Sequence, residues 1–192
     1  MARKYPFFQR FKYYLLFITA GLLVHLYLNR HNINTFDDIR TTIGRALFSK
    51  TSADGTVCEG IPNIIDGDTL RIGQQKIRLY AIDAPETAQR CQDARNNRYR
   101  CGQYATNALR KLIAHQSVRC EKQDTDQYGR MVAICYVKDI EINRWMVKNG
   151  YAVAYRSISN AYTLEEELAK HQKLGLWAGT FQMPEKWRKS KS

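Results

Sequence analysis

The sequence lacks most of the patterns that assign a protein quickly. Its 192 residues hold five cysteines, Cys58, Cys91, Cys101, Cys120 and Cys135, yet no C-x-x-C pair and no zinc-site spacing. His25, His31, His115 and His171 lie apart from the polar clusters, which leaves Ser-His-Asp and Cys-His nucleophile chemistry without candidates. There are no internal repeats and no low-complexity segments. Acidic residues are absent before Thr19, and the apolar stretch Tyr13 to Leu28, which contains no charge, has only sixteen residues. That is somewhat below the ~20 of a typical spanning helix.

What is present is charge, and its placement matters. Lys and Arg total 30 against 18 Asp and Glu, a net of +12. Arg3, Lys4, Arg10 and Lys12 carry +4 at one end, and Lys186, Arg188, Lys189 and Lys191 another +4 at the other. The middle is only mildly basic. A polyanionic partner is compatible with this balance, as are a topology signal and a solvated tail.

The basic start followed by residues 13–28 reads as an uncleaved signal-anchor, with a cleaved signal peptide as the alternative. Thr19-Ala20-Gly21 is the one small-residue cluster, and it sits mid-run. A basic side held inside exports everything after Leu28. The expected location is therefore a membrane anchor through residues 13–28, with the folded domain in the periplasm or outside the cell. Cleavage would make the protein secreted.

The cysteines bear on export. Cys91 and Cys101 bracket a polar loop that a disulfide can staple. Cys120 and Cys135 flank a predicted hairpin centred near Gln127-Tyr128, in a register that sets them opposite each other. Two bridges would fit an oxidising compartment and leave Cys58 over. Five reduced, buried thiols is the other reading.

Along the chain, residues 1–12 form a basic stretch, 13–28 the apolar segment, 29–54 a polar tether, 55–187 one folded domain and 188–192 a basic tail. Residues 41–48 can form a short helix. Val57 to Ile65 is β-rich, with Gly60 and Pro62 implying a bulge or edge. Thr69 to Ile72 and Lys76 to Ile82 alternate around a turn at Gly73-Gln74-Gln75, which predicts a hairpin. Gly102 to His115 carries Tyr104, Ala105, Ala108, Leu109, Leu112 and Ile113 at helical spacing. Ser117 to Glu121 and Met131 to Val137 predict a second hairpin. Ile142 to Asn149 predicts a helix stopped by Gly150, and Thr163 with Glu166 a capping box opening a third helix that Gly175 can end. Short strands with inserted helices suggest a small α+β barrel, an OB-like closed sheet.

Three polar clusters sit at strand ends: Asp66-Gly67-Asp68-Thr69, then Arg78-Leu79-Tyr80-Ala81-Ile82-Asp83-Ala84-Pro85-Glu86, then Asp126-Gln127-Tyr128-Gly129-Arg130. Singly, each reads equally well as a turn, an edge arginine or a hairpin tip. Together they supply a set for phosphodiester hydrolysis. Asp68 and Asp83 offer oxygen ligands to a hard divalent cation. Arg78 and Arg130 can clamp a phosphate. Glu86 can orient or deprotonate water. In a straight strand Arg78 and Asp83, five apart, face opposite sides, so they meet only if the chain curls or bulges between them.

The order DGDT, R-L-x-x-I-D-A-P-E, D-x-Y-G-R resembles the signature of the staphylococcal nuclease family. Asn143 to Ala152 and Gly175-Leu176-Trp177 continue the resemblance, which spans about Thr56 to Trp187. It implies an OB-fold five-stranded β-barrel with three α-helices, here preceded by an N-terminal hydrophobic helix. It also implies Ca2+-dependent endonuclease activity on DNA and RNA, by a monomer. Asp68 and Asp83 resemble the metal-binding carboxylates, and Ala84 sits where a backbone carbonyl joins them. Arg78 and Arg130 resemble the paired phosphate-binding arginines and Glu86 the catalytic carboxylate. Asp66 matches a supporting acid, and Tyr128 and Tyr155 match nucleotide contacts. The Thr87 to Arg100 loop and the Cys120 and Cys135 pair depart from the namesake's pattern. The alternative function is a catalytically inactive module that binds nucleic acid or protein.

Overall fold

The structure, a computed structural model, describes residues 49–191. Strand β1 (Lys50–Thr51) pairs antiparallel with β2 (Val57–Gly60), within the stretch expected as a tether. The β-rich run then breaks at Ile61-Pro62, where proline has no N–H for a ladder, and resumes as β3 (Asn63–Ile64). The hairpin β4 (Thr69–Ile72) and β5 (Gln75–Leu79) turns through Gly73-Gln74. Next come β6 (Ile82–Asp83), β7 (Cys91–Gln92), β8 (Arg98–Tyr99) and helix α1 (Cys101–Ile113). The second hairpin is β9 (Val118–Thr125) and β10 (Met131–Val137), followed by β11 (Ile140–Glu141) and α2 (Ile142–Lys148). The chain closes with β12 (Val153–Ala154), α3 (Thr163–His171), a 3-10 turn at Gly175–Ala178 and α4 (Pro184–Lys189).

The main sheet runs β1-β2-β9-β10-β5-β4-β3, with β11 on β10. Its neighbours are antiparallel except β10 and β5, which are parallel. Because only Ile61 and Pro62 separate β2 from β3, the sheet's path leaves from and returns to one stretch of chain. The architecture is α+β, a mixed sheet with several helices against it.

The core follows from the period of each element. β10 alternates strictly, so Met131, Ala133, Cys135 and Val137 point inward. They join Leu70, Ile77 and Leu79 from the first hairpin, Leu109 and Ile113 from α1, and Met146 from α2 in one cluster. Each fully buried Leu or Ile contributes roughly 1.5–3 kcal/mol from burial. Tyr104, expected in the apolar stripe of α1, is instead 54% exposed and meets the Tyr99 and Tyr151 rings.

Two disulfides are present, Cys91–Cys101 and Cys120–Cys135, and Cys58 is a buried free thiol. Cys58, Cys120 and Cys135 share one rung, since Cys120 is the register partner of Cys58 on β2 and of Cys135 on β10.

Several expectations need correction. The capping box is not made: α3 has no side-chain cap, because Glu166 reaches the Ala154 N–H (3.1 Å), Arg156 and Lys170 instead. A fourth helix, α4, exists beyond the three expected, and it extends into the segment read as a basic tail. The membrane-anchored location is also corrected. Among the described residues no helix is long and apolar enough to cross a membrane. Residues 13–28, which carried that expectation, and the short helix at 41–48 lie outside the described residues.

Candidate active site

Asp68 sits in a turn that the aspartates themselves build. Its N–H donates to Asp66 Oδ1 (3.0 Å), and the Asp66 N–H donates to the Thr69 carbonyl (3.2 Å). The D-G turn and the candidate site are thus the same feature. The Asp68 side chain is buried, and both its oxygens are engaged. Oδ1 accepts from Arg78 Nη1 (2.8 Å) and Thr69 Oγ1 (3.0 Å), and Oδ2 accepts from the Ala84 N–H (2.9 Å).

Arg78 and Asp83 do meet, because the chain is not straight between them. β5 stops at Leu79, and Ala81 takes a left-handed conformation (φ +57°) before β6 begins. Such a conformation costs a non-glycine residue about 1–2 kcal/mol, so the surroundings must hold it. They do so through the backbone. Tyr80 N–H donates to the Ala133 carbonyl (2.8 Å), and Tyr155 N–H donates to the Ala81 carbonyl (2.9 Å). Asn143, fully buried, donates to the carbonyls of Tyr80 (2.9 Å) and Ala133 (3.2 Å) and accepts from the Cys135 N–H (3.0 Å). The kink turns Asp83 back, and Arg78 Nη2 donates to its Oδ1 at 3.1 Å.

Glu86 follows Pro85 and lies under the first turn of α1. A Cβ on Gly102 would stand 1.8 Å from the Glu86 carbonyl oxygen, so only glycine lets the helix approach this closely. Gln89, fully buried, accepts from the Glu86 N–H (3.3 Å) and donates to the Gln182 carbonyl (2.6 Å). It ties the Glu86 loop to the segment leading into α4. Arg188 on α4 completes the group. Its Nη1 donates to Asp83 Oδ1 (2.8 Å) and Glu86 Oε1 (3.0 Å), and its Nη2 to Asp83 Oδ2 (3.1 Å).

Arg130 is aimed by the hairpin tip between β9 and β10. Asp126 Oδ1 accepts the N–H groups of Tyr128 and Arg130 (both 3.0 Å), and its Oδ2 accepts from Arg130 Nε (2.6 Å). Gly129 supplies the positive φ (+73°) that the turn needs. The Arg130 guanidinium lies 5.5 Å from the centre of the exposed Tyr128 ring.

These elements enclose a cleft of about 610 Å³. Asp66, Asp68, Arg78, Glu86, Tyr128, Arg130, Tyr155 and Arg188 all line it. Asp83 and Ala84 stand behind the lining, joined to it through Arg78 and Asp68. The four bridged cysteines are not among the lining residues.

Electrostatics mark this as an acidic floor under guanidinium groups. Burial, then repulsion from Asp68, pushes Asp66 up to about 6. Burial also lifts Asp83 above the usual carboxylate range; hydrogen bonds from Arg188 oppose this and the nearby Asp68 reinforces it. Burial alone would lower Arg78, but Asp68 and Asp83 outweigh it and keep it charged. Among the described residues no group of three or more His, Cys, Asp or Glu side chains is placed to hold a metal. Two buried carboxylates, Asp68 and Asp83, share the one Arg78 guanidinium. Crowded, buried, all-oxygen donors fit a hard divalent cation.

Comparison with known proteins adds to this geometry. Residues 76–179, more than half of the chain, match the family described as "Staphylococcal nuclease homologue". The chain belongs to that family. An uncharacterized endonuclease of Haemophilus influenzae is 33% identical over 151 residues, covering 74% of this chain and 79% of that protein. The succinoglycan biosynthesis protein ExoI of Rhizobium meliloti is 38% identical over 122 residues, and 63% of its length is covered. The probable staphylococcal-like nuclease CAN1 of Oryza sativa subsp. japonica is 33% identical over 138 residues, 37% of its length. The staphylococcal nuclease segment includes Arg78, Asp83, Glu86 and Arg130, whereas Asp66, Asp68 and Arg188 lie outside it.

Sequence reasoning missed three residues of the site's framework. Asn143 was visible only as part of a matching segment. Gln89 sits in a loop with its own composition. Arg188 was hidden in a run of basic residues, and no local signal separates it from Lys186 or Lys189.

Proposed function

We propose that this chain is a Ca2+-dependent endonuclease that hydrolyses phosphodiester bonds in DNA and RNA. The observation that carries the reading is a single cleft lined by Asp68, Arg78, Glu86 and Arg130, with Asp83 bonded to Arg78 at 3.1 Å. Asp68, Asp83 and the Ala84 carbonyl are the residues to hold the ion. When bound, a divalent cation polarises a phosphoryl oxygen and offsets the charge developing on it.

The remaining work falls to this chain's side chains. Arg78 and Arg130 present planar donor forks suited to phosphate oxygens. Arg78 is pre-positioned by Asp68 and Asp83, and Arg130 by Asp126, so neither must reorganise as charge builds. Glu86, about one-third exposed at the cleft, is the group to take a proton from the attacking water. Tyr128 and Tyr155 offer flat faces for a base or sugar. Asp66 supports the turn that carries Asp68. The fold reading is a five-stranded OB-type barrel, supported by the sheet path that returns to residues 57–64. The two disulfides fit an oxidising compartment.

The test is cleavage of single-stranded DNA and of RNA by the full-length protein, with Ca2+ and with chelator. Ca2+-dependent cleavage of both is expected. Cleavage that ignores chelator, or none at all, would sink the reading. Tight binding without cleavage under saturating Ca2+ would mark an inactive nucleic-acid-binding module instead.

A further inference from the structure

We propose that Arg188 is a built-in counter-cation which a divalent ion must displace from Asp83, so that helix α4 sets the protein's threshold for metal. The proposal rests on the reading of Asp68 and Asp83 as metal ligands.

Three observations carry it. First, Asp83 is fully engaged. Its Oδ1 accepts from both Arg78 and Arg188, and its Oδ2 accepts from Arg188. With a side chain 1% exposed, it has no open face toward solvent for an arriving ion. A cation seeking Asp83 oxygens must therefore move a guanidinium.

Second, the two guanidiniums differ in how they are held. Arg78 stands on β5, in the middle of the sheet, and bridges both buried aspartates. Arg188 stands on a six-residue helix whose one buried residue is Pro184. That helix hangs from a strap fastened by the backbone pair Gln92–Thr180 (2.9 and 3.1 Å) and by Gln89 to the Gln182 carbonyl. An element with so little buried surface opens at small cost, whereas displacing Arg78 would disturb the sheet. Arg188 is the guanidinium that yields.

Third, Arg188 holds Asp83 and Glu86 with the same nitrogen, Nη1, at 2.8 and 3.0 Å. One displacement would therefore release both a metal ligand and the proposed general base. Arg188 lies beyond residue 179, where the family match ends.

The test uses full-length protein without nucleic acid. Ca2+ binding is titrated by calorimetry into the wild type and into Arg188→Gln. The variant should bind at least about tenfold tighter, since an opposing unit charge a few ångströms away is removed. Arg188→Lys, which keeps the charge but loses the bidentate fork, should fall between them. Hydrogen exchange of the unmodified protein serves if the variant does not fold: saturating Ca2+ should speed exchange across residues 184–191 and leave α1 unchanged. Equal or weaker Ca2+ binding by Arg188→Gln, or unchanged or slower exchange at 184–191, overturns the proposal. Should the wild type still cleave DNA only with Ca2+ in that case, the displacement idea alone falls. An absence of both cleavage and Ca2+ binding would overturn it together with the proposed function.

Discussion

Asn143 and Tyr80, 63 residues apart, are joined by a hydrogen bond of 2.9 Å from the Asn143 amide to the Tyr80 carbonyl. That bond holds the kink that brings Asp83 to Arg78. Asn143→Ala would strand two backbone groups, the Tyr80 carbonyl and the Cys135 N–H, each costing about 1–3 kcal/mol, while the Ala133 carbonyl keeps the Tyr80 N–H. A loss of roughly 2 kcal/mol or more is expected in urea unfolding, with unchanged slope. Less than about 1 kcal/mol would mean that the kink is held by its other backbone bonds.

Glu86→Gln keeps the shape of the side chain and removes the base. Turnover should fall by about 10²–10⁴. Circular dichroism and melting should stay close to wild type. Comparable turnover in the variant would assign proton removal to another group.

The two arginines should separate stability from activity. Arg78 is bonded to Asp68 and Asp83, whose side chains are 6% and 1% exposed. Arg78→Met leaves that buried pair short of a counter-charge and should cost about 3–5 kcal/mol. Arg130 pairs with Asp126 at a hairpin tip, where the 17% exposure of the Asp126 side chain lets water replace the guanidinium, so Arg130→Met should cost less, about 1–2 kcal/mol. Both should lower cleavage by about a hundredfold or more. Equal stability losses would contradict the difference in burial between Asp126 and the Asp68–Asp83 pair.

Acid should loosen the hairpin tip. Burial works against the Asp126 charge, but the N–H groups of Arg130 and Tyr128 and the Arg130 guanidinium outweigh it and hold its pKa below the usual value. A depressed carboxylate adds stability that is present above its unfolded pKa and lost as pH falls through its folded one. Unfolding measured from pH 5 down to pH 2 should show this acid-side loss in the wild type and less of it in Asp126→Asn. Identical profiles would remove Asp126 from the account.

Thiol counting on denatured, non-reduced protein should find one free cysteine, Cys58. Five would refute both bridges.

How much of this was legible in the sequence differs by scale. Period and turn residues located both hairpins and the first two helices, because alternation and the 3.6-residue stripe are local. The three polar clusters were visible as clusters, but only the fold shows that they share a cleft. The Arg78–Asp83 pairing looked forbidden in a straight strand, and it depends on Ala81, a residue with no local signal for positive φ. The side chains that hold the site act across long separations: Asn143 to Tyr80, Gln89 to Gln182 and Arg188 to Asp83. The capping box failed for the same reason. Glu166 found stronger partners in Ala154, Arg156 and Lys170 than the start of its own helix offers.

The rung of three cysteines has a further consequence, for reversibility. Cys120 has a cysteine on each side, Cys58 and Cys135. In the folded protein burial raises the Cys58 thiol pKa, so little attacking thiolate forms. Once heat opens the sheet, that protection ends. Cys58 can then attack Cys120, form a Cys58–Cys120 bond and release the Cys135 thiolate, with no outside oxidant. The exchanged chain has the same mass and still one thiol, but that thiol is now Cys135, and β9 is fastened to β2 instead of β10. Heating at alkaline pH should therefore leave a fraction whose free thiol is Cys135, while heating at acid pH, where thiolate is scarce, should leave Cys58 as the free thiol.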